Sequence, residues 1–142
     1  MGMTIWVLSK NKTTEGDDWD HSALFYAVEK LDPICDRLGL AKLSTFLDWT
    51  DFDLNMSEDE DKEFPDEKEL IDRASWFKPS EALPMLRALH EYVASNESQL
   101  ASLLEQGKEH LSEELLEDLD DCISKVEKIE TEGDLFHFCV VM

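Results

Sequence analysis

The sequence predicts an α+β fold: three to four helices packed on a small sheet that pairs the two ends of the chain. Three observations carry this. Runs of β-branched and aromatic residues stand near both ends, Met3–Leu8 (MTIWVL) and Leu135–Val141 (LFHFCVV). Between them, apolar residues recur every three or four positions in several stretches, and proline and glycine punctuate those stretches. With 142 residues the chain has the length of a single domain, 1–142, long enough to bury a core.

Taken in order, the first strand runs into a polar loop, Ser9–Asp20. A helix begins near Asp20 or Ser22 and carries Leu24, Tyr26, Ala27, Val28, Leu31, Ile34, Cys35 and Leu38 at helical spacing. Pro33 removes an amide inside it. That predicts a kink or two short helices, the second capped by Asp32 with Pro33 in its first position. Gly39 is a natural stop. Leu40–Trp49 alternates small polar and apolar residues and reads as a short helix or turn. The stretch from about 50 to 68 is dominated by carboxylates, with Phe52, Leu54, Met56 and Phe64 its main apolar residues. So little apolar surface cannot offset the entropy of ordering the chain, which predicts an acidic, partly mobile loop.

Ser75–Val93 is the stretch around which the rest is organised. Pro79 suits the first position of a helix, where its missing amide has no partner to lose, and Glu81 in the first turn meets the positive end of the peptide dipole. Ala82, Met85, Leu86, Leu89, Tyr92 and Val93 then form one apolar stripe. Pro84 lies about one turn inside, so the helix either starts later, with Ser80 as cap, or kinks there. Trp76 and Phe77 precede the helix and are expected to fold back on its first turn as a staple. Trp76, Phe77, Leu86 and Leu89 are the expected core anchors.

After Asn96, Leu100, Leu103 and Leu104 suggest a short helix ending around Gly107. The last helix has Ser112 as cap, Glu113 and Glu114 in its first turn and a Leu111/Leu116 staple. Its expected buried stripe is Leu115, Leu116, Leu119, Cys122, Ile123, Val126 and Ile129, with Lys125 and Lys128 toward the negative end and Gly133 as stop. The closing strand is apolar on both faces. It therefore needs cover on both sides or a subunit contact, and a homodimer through this strand is one reading.

The succession Trp76-Phe77-x-Pro79-x-Glu81-x-Leu83-x-x-Leu86-Arg87-Ala88-Leu89, then a long acidic helix, then the strand around Phe136-His137-Phe138, resembles a group of small uncharacterised bacterial proteins. The resemblance covers residues 71–142 and rests on packing motifs. It implies no chemistry and carries over no functional residues. Pro84 stands where that pattern has a flexible residue.

Charge narrows the partners. The chain holds 34 acidic and 13 basic residues, for a net charge of −21. Nucleic acid and anionic membranes require basic surface, so both are disfavoured, and a basic protein surface or a cation is favoured. The imbalance is uneven: residues 51–70 hold 10 acids and 2 bases, 97–142 hold 13 and 3, and 71–96 hold 3 of each. The neutral stretch is the expected interior. Cys35, Cys122 and Cys139 are far apart among apolar neighbours, which reads as buried free thiols in a reducing compartment. No secretory signal or membrane span is evident, and the expected location is cytoplasmic.

Several motifs invite a chemical reading. Asp51, Asp53, Asn55, Ser57 and Asp59 place oxygens at alternate positions, as a calcium loop does. Met56 occupies the place of the turn glycine and Lys62 that of the bidentate acid, so a solvated acidic loop outweighs the metal reading, with Asp51, Asp53, Asn55 and Asp59 the candidate ligands. The last four residues, Cys139 to Met142, match a prenylation box, but they end an apolar strand with no basic stretch ahead of it. His90-Glu91 lacks a second histidine, since position 94 is Ala. His137 and Cys139 share a strand face without a second pair at metal spacing. His21, near Asp17, Asp18 and Asp20, reads equally as an acid/base group or as part of a helix-start cluster. No nucleophile elbow or glycine-rich phosphate loop is found, and no cofactor is implied.

These observations favour a small acidic, non-enzymatic protein–protein interaction or inhibitor-type domain. Divalent-cation binding through residues 51–63 is the alternative, and an enzyme of unrecognised type is the third reading.

Overall fold

A computed structural model describes residues 3–11, 20–50, 67–104 and 106–141. The elements run β1 (Thr4–Ser9), α1 (Ser22–Arg37), a 3-10 turn (Leu43–Phe46), β2 (Leu47–Asp48), α2 (Glu67–Arg73), α3 (Pro79–Ser95), 3-10 segments at Glu97–Leu103 and Glu109–Leu111, α4 (Ser112–Thr131) and β3 (Phe136–Val141). The fold is α+β, and the two terminal strands pair as expected.

β3 is the middle strand. β1 lies antiparallel to it, with Ile5 opposite Val140 and Val7 opposite Phe138, and β2 lies parallel on its other side, with Asp48 opposite Cys139. All six residues of β3 are buried, which is why it is apolar on both faces. Ile5, Val7, Phe136, Phe138 and Val140 point into the main core with the helices, while Leu8, Cys139 and Val141 form a second, smaller cluster with Trp6. β2 is a departure from the sequence reading, which put a short helix or turn over Leu40–Trp49. The 3-10 turn is there, but a strand of two residues is too short for an alternating pattern to register.

Helix α1 is continuous through Pro33. The expected kink or split is not needed, because the stripe Leu24, Ala27, Leu31, Ile34 and Cys35 is buried on both sides of the proline, and the lost amide bond falls on its exposed side. Both glycine stops form as expected. Leu40 N–H donates to the Cys35 carbonyl (2.9 Å) and Gly39 N–H to that of Asp36 (3.2 Å), and Asp134 and Gly133 repeat the pattern on Ile129 and Glu130 (3.1 and 3.0 Å). Gly39 and Gly133 hold φ of +72° and +70°, the left-handed turn that these paired bonds require.

α3 begins at Pro79, not at a later cap, and buries Ala82, Leu83, Met85, Leu86, Leu89 and Val93. It runs antiparallel to α4, as the cross-helix pairs Arg87–Glu127 (3.0 Å) and His90–Asp120 (2.6 Å) show. Three expectations are corrected. Ser112 is already helical and caps nothing, because the turn Glu109–Leu111 leads directly into α4. The stretch after Asn96 is a 3-10 segment and not an α-helix. α2 was unforeseen: it starts within the acidic stretch, and Arg73 donates to Glu69 one turn back (2.7 Å).

Candidate functional site

The first polar cluster joins β1, α1 and α4. His21 is fully buried just before α1. Its backbone N–H donates to Thr4 Oγ1 (2.6 Å), Nδ1 faces the Ile5 carbonyl oxygen (2.7 Å), and Nε2 faces Asp121 Oδ2 (2.6 Å). Lys125 Nζ holds the same Asp121 oxygen at 2.8 Å. One turn earlier on α4, buried Asp118 accepts the Leu24 N–H at 3.2 Å. That amide lies in the first turn of α1 and has no partner within the helix, so a carboxylate 94 residues away does the work of a capping side chain. A histidine acting as general base needs a ring nitrogen within reach of a substrate. Here both nitrogens face protein oxygens, which makes the His21 cluster structural. His21 stands just before α1 with its ring held by Asp121, and Asp17 and Asp18 of the expected helix-start cluster lie outside the described residues.

The second cluster lies on the smaller face of the sheet. His137 Nδ1 donates to the Ser75 carbonyl (3.0 Å), and Asp48 Oδ2 stands 3.9 Å from the same nitrogen. Asp48 Oδ1 accepts from Thr50 Oγ1 (3.0 Å) and from Ser75 N–H (3.3 Å). The Trp76 ring lies flat on the imidazole, 4.0 Å between centroids at 13°. Burial pushes the pKa of His137 down from its ordinary value, against the opposing pull of Asp48 and of the Ser75 carbonyl.

The four expected anchors therefore have different surroundings. Leu86 and Leu89 are fully buried. Phe77 is partly buried, pairs with Phe136 through two backbone hydrogen bonds (2.8 and 2.9 Å) and packs edge-on against Phe46. Trp76, half-buried, stacks on His137 and donates its Nε1–H to the Ile71 carbonyl (2.8 Å) in place of the expected staple.

A third buried acid, Asp134, accepts from Asn11 N–H (3.1 Å), Asn11 Nδ2 (3.0 Å) and its neighbour Leu135 N–H (2.8 Å), tying the end of β1 to the start of β3. Asp48, Asp118 and Asp134 are the residues that sequence reasoning missed. Asp118 gave a signal: it sits within the buried stripe of α4, beside Leu115, Leu119 and Cys122, where a carboxylate must have a partner.

The outer face of α4 is different. Glu113, Glu114, Glu117 and Asp120 are exposed along its first two and a half turns. Asp120 meets His90, whereas Glu113, Glu114 and Glu117 form no ion pair among the described residues. The three cysteines are buried, and burial pushes the Cys35 thiol up, which keeps it protonated and unreactive. The candidate ligands Asp51, Asp53, Asn55 and Asp59 lie outside the described residues. Among the described residues no group of three or more His, Cys, Asp or Glu side chains is arranged to hold a metal, and no helix is long and apolar enough to cross a membrane. Comparison with known proteins finds no matching family model, no matching curated protein and no matching solved structure.

Proposed function

We propose that this chain is a non-enzymatic, cytoplasmic protein-binding domain of inhibitor or adaptor type, docking the outer face of α4 on a basic protein surface. The observation that carries the reading is the trio Glu113, Glu114 and Glu117: exposed, adjacent and without an ion pair among the described residues. A net charge of −21 adds long-range attraction toward a basic partner and repels nucleic acid and anionic lipid. The two buried histidines support a non-catalytic role, since one has both nitrogens engaged and the other lies under an indole ring.

A pull-down from native lysate at low and at high ionic strength tests the proposal. A basic protein retained at low salt and released at high salt is the expected result. Retention that ignores salt, or no retained protein at all, counts against it.

A further inference from the structure

We infer that His21 is held in the fold as an imidazolium, and that its second ring proton, shared with Asp121, latches the start of α1 to α4. Each ring nitrogen faces an atom that has no hydrogen to give. Nδ1 lies 2.7 Å from the Ile5 carbonyl oxygen, which can only accept. Nε2 lies 2.6 Å from Asp121 Oδ2, and the Lys125 ammonium sits 2.8 Å from that same oxygen. A neighbouring ammonium favours the ionised carboxylate, so this oxygen accepts as well. A neutral imidazole has one N–H and one lone pair, and either tautomer would press that lone pair against an oxygen at hydrogen-bond distance. Only a ring with both hydrogens makes both bonds.

The charges around the ring agree with that count. His21 is fully buried, and a buried cation needs a partner. From α4 come Asp121 beside the ring and, one turn earlier, buried Asp118 at the Leu24 N–H. Lys125 of the same helix is the opposing charge, and its ammonium is taken up by Asp121. β1 supplies the Ile5 carbonyl and the Thr4 hydroxyl, both neutral. α1 presents the positive end of its peptide dipole, which Asp118 meets at Leu24. The residue ahead, Asp20, accepts from Trp6 Nε1 (2.8 Å). Carboxylates therefore outnumber ammonium groups at this junction, in a chain of net charge −21.

The second proton ties distant parts of the chain together. Without it Nε2 turns a lone pair toward Oδ2, and an attraction between residues 100 positions apart becomes a repulsion. The His21 backbone belongs to the same knot. Its N–H donates to Thr4 Oγ1 (2.6 Å), and its carbonyl accepts the Phe25 N–H (3.0 Å), the bond that opens α1. A ring pushed off Asp121 therefore strains the first turn of α1, where Asp118 holds the Leu24 amide.

The test counts the ring hydrogens of His21 by NMR of isotope-labelled protein at about pH 7, with the ring assigned by through-bond correlation to its own backbone. Two protonated ring nitrogens are expected. Asp121→Asn keeps the shape of the side chain and removes its charge. There the ring is expected to lose the Nε2 hydrogen and keep the one on Nδ1, while exchange of the Leu24 amide rises roughly tenfold, the scale of one lost charge-assisted hydrogen bond. A bare nitrogen in the wild-type ring overturns the inference. A folded Asp121→Asn protein that keeps both ring hydrogens, or whose Leu24 amide exchanges as in the wild type, overturns the latch. Should that variant not fold, Lys125→Met decides, because it leaves Asp121 to His21 alone: both ring hydrogens are expected to remain, and the loss of one overturns the proposal.

Discussion

The two faces of α4 use the same side-chain chemistry for opposite ends. Facing inward, Asp118 and Asp121 satisfy an α1 amide and a buried imidazole, so each carboxylate has a specific donor. Facing outward, Glu113, Glu114 and Glu117 are exposed and form no ion pair among the described residues. An inward acid lost leaves a buried donor without its partner, whereas an outward acid lost exchanges one hydrated group for another. The comparison teaches that net charge alone does not describe this protein: part of its acidity is skeleton and part is surface.

Mutations sharpen that contrast in a definite order, read by urea denaturation. The inward apolar residue Leu119 is fully buried, and Leu119→Ala should cost the most, about 2–5 kcal/mol, through lost transfer energy and a cavity. Next comes His21→Ala, expected to cost about 2–3 kcal/mol because it strands the Ile5 carbonyl and loosens Asp121. Asp118→Ala should follow at about 1–2 kcal/mol, the range for a lost helix cap. Glu117→Gln should shift the urea midpoint least of all. If Asp118→Ala and Glu117→Gln destabilise equally, the division between the two faces is wrong.

A pH series tests the contribution of His137. For His137 the folded pKa is lowered, so above about 6.5 neither state gains a proton there and this group carries no penalty. As pH falls through 6.5 the unfolded chain takes up the proton first, and stability declines until the folded value is reached. The melting temperature should therefore drop more steeply below that pH in the wild type than in His137→Asn. Parallel curves for the two proteins would remove His137 as the source.

Much of this was legible in the chain itself. The strands at the two ends, the glycine stops at Gly39 and Gly133 and the buried stripe of α3 follow from local pattern and turn chemistry, which are properties of neighbouring residues. What escaped depends on distant partners. Asp118 is a cap only because α4 passes the start of α1, and Asp48 is a strand residue only because β3 lies beside it. Ser112 looked like a cap because the pattern before a helix does not distinguish a loop from a preceding 3-10 turn. Trp76 beside a proline-started helix resembled a staple, and nothing local pointed to His137, 61 positions later in the chain.

The central claim is that the outward carboxylates bind and the inward ones hold the fold. It is tested most directly by repeating the low-salt pull-down with the variant Glu113→Gln/Glu114→Gln/Glu117→Gln, its folding checked by a thermal melt. The account predicts a folded protein that no longer retains the basic partner held by the wild type. A folded variant that retains that partner as fully as the wild type does would contradict it.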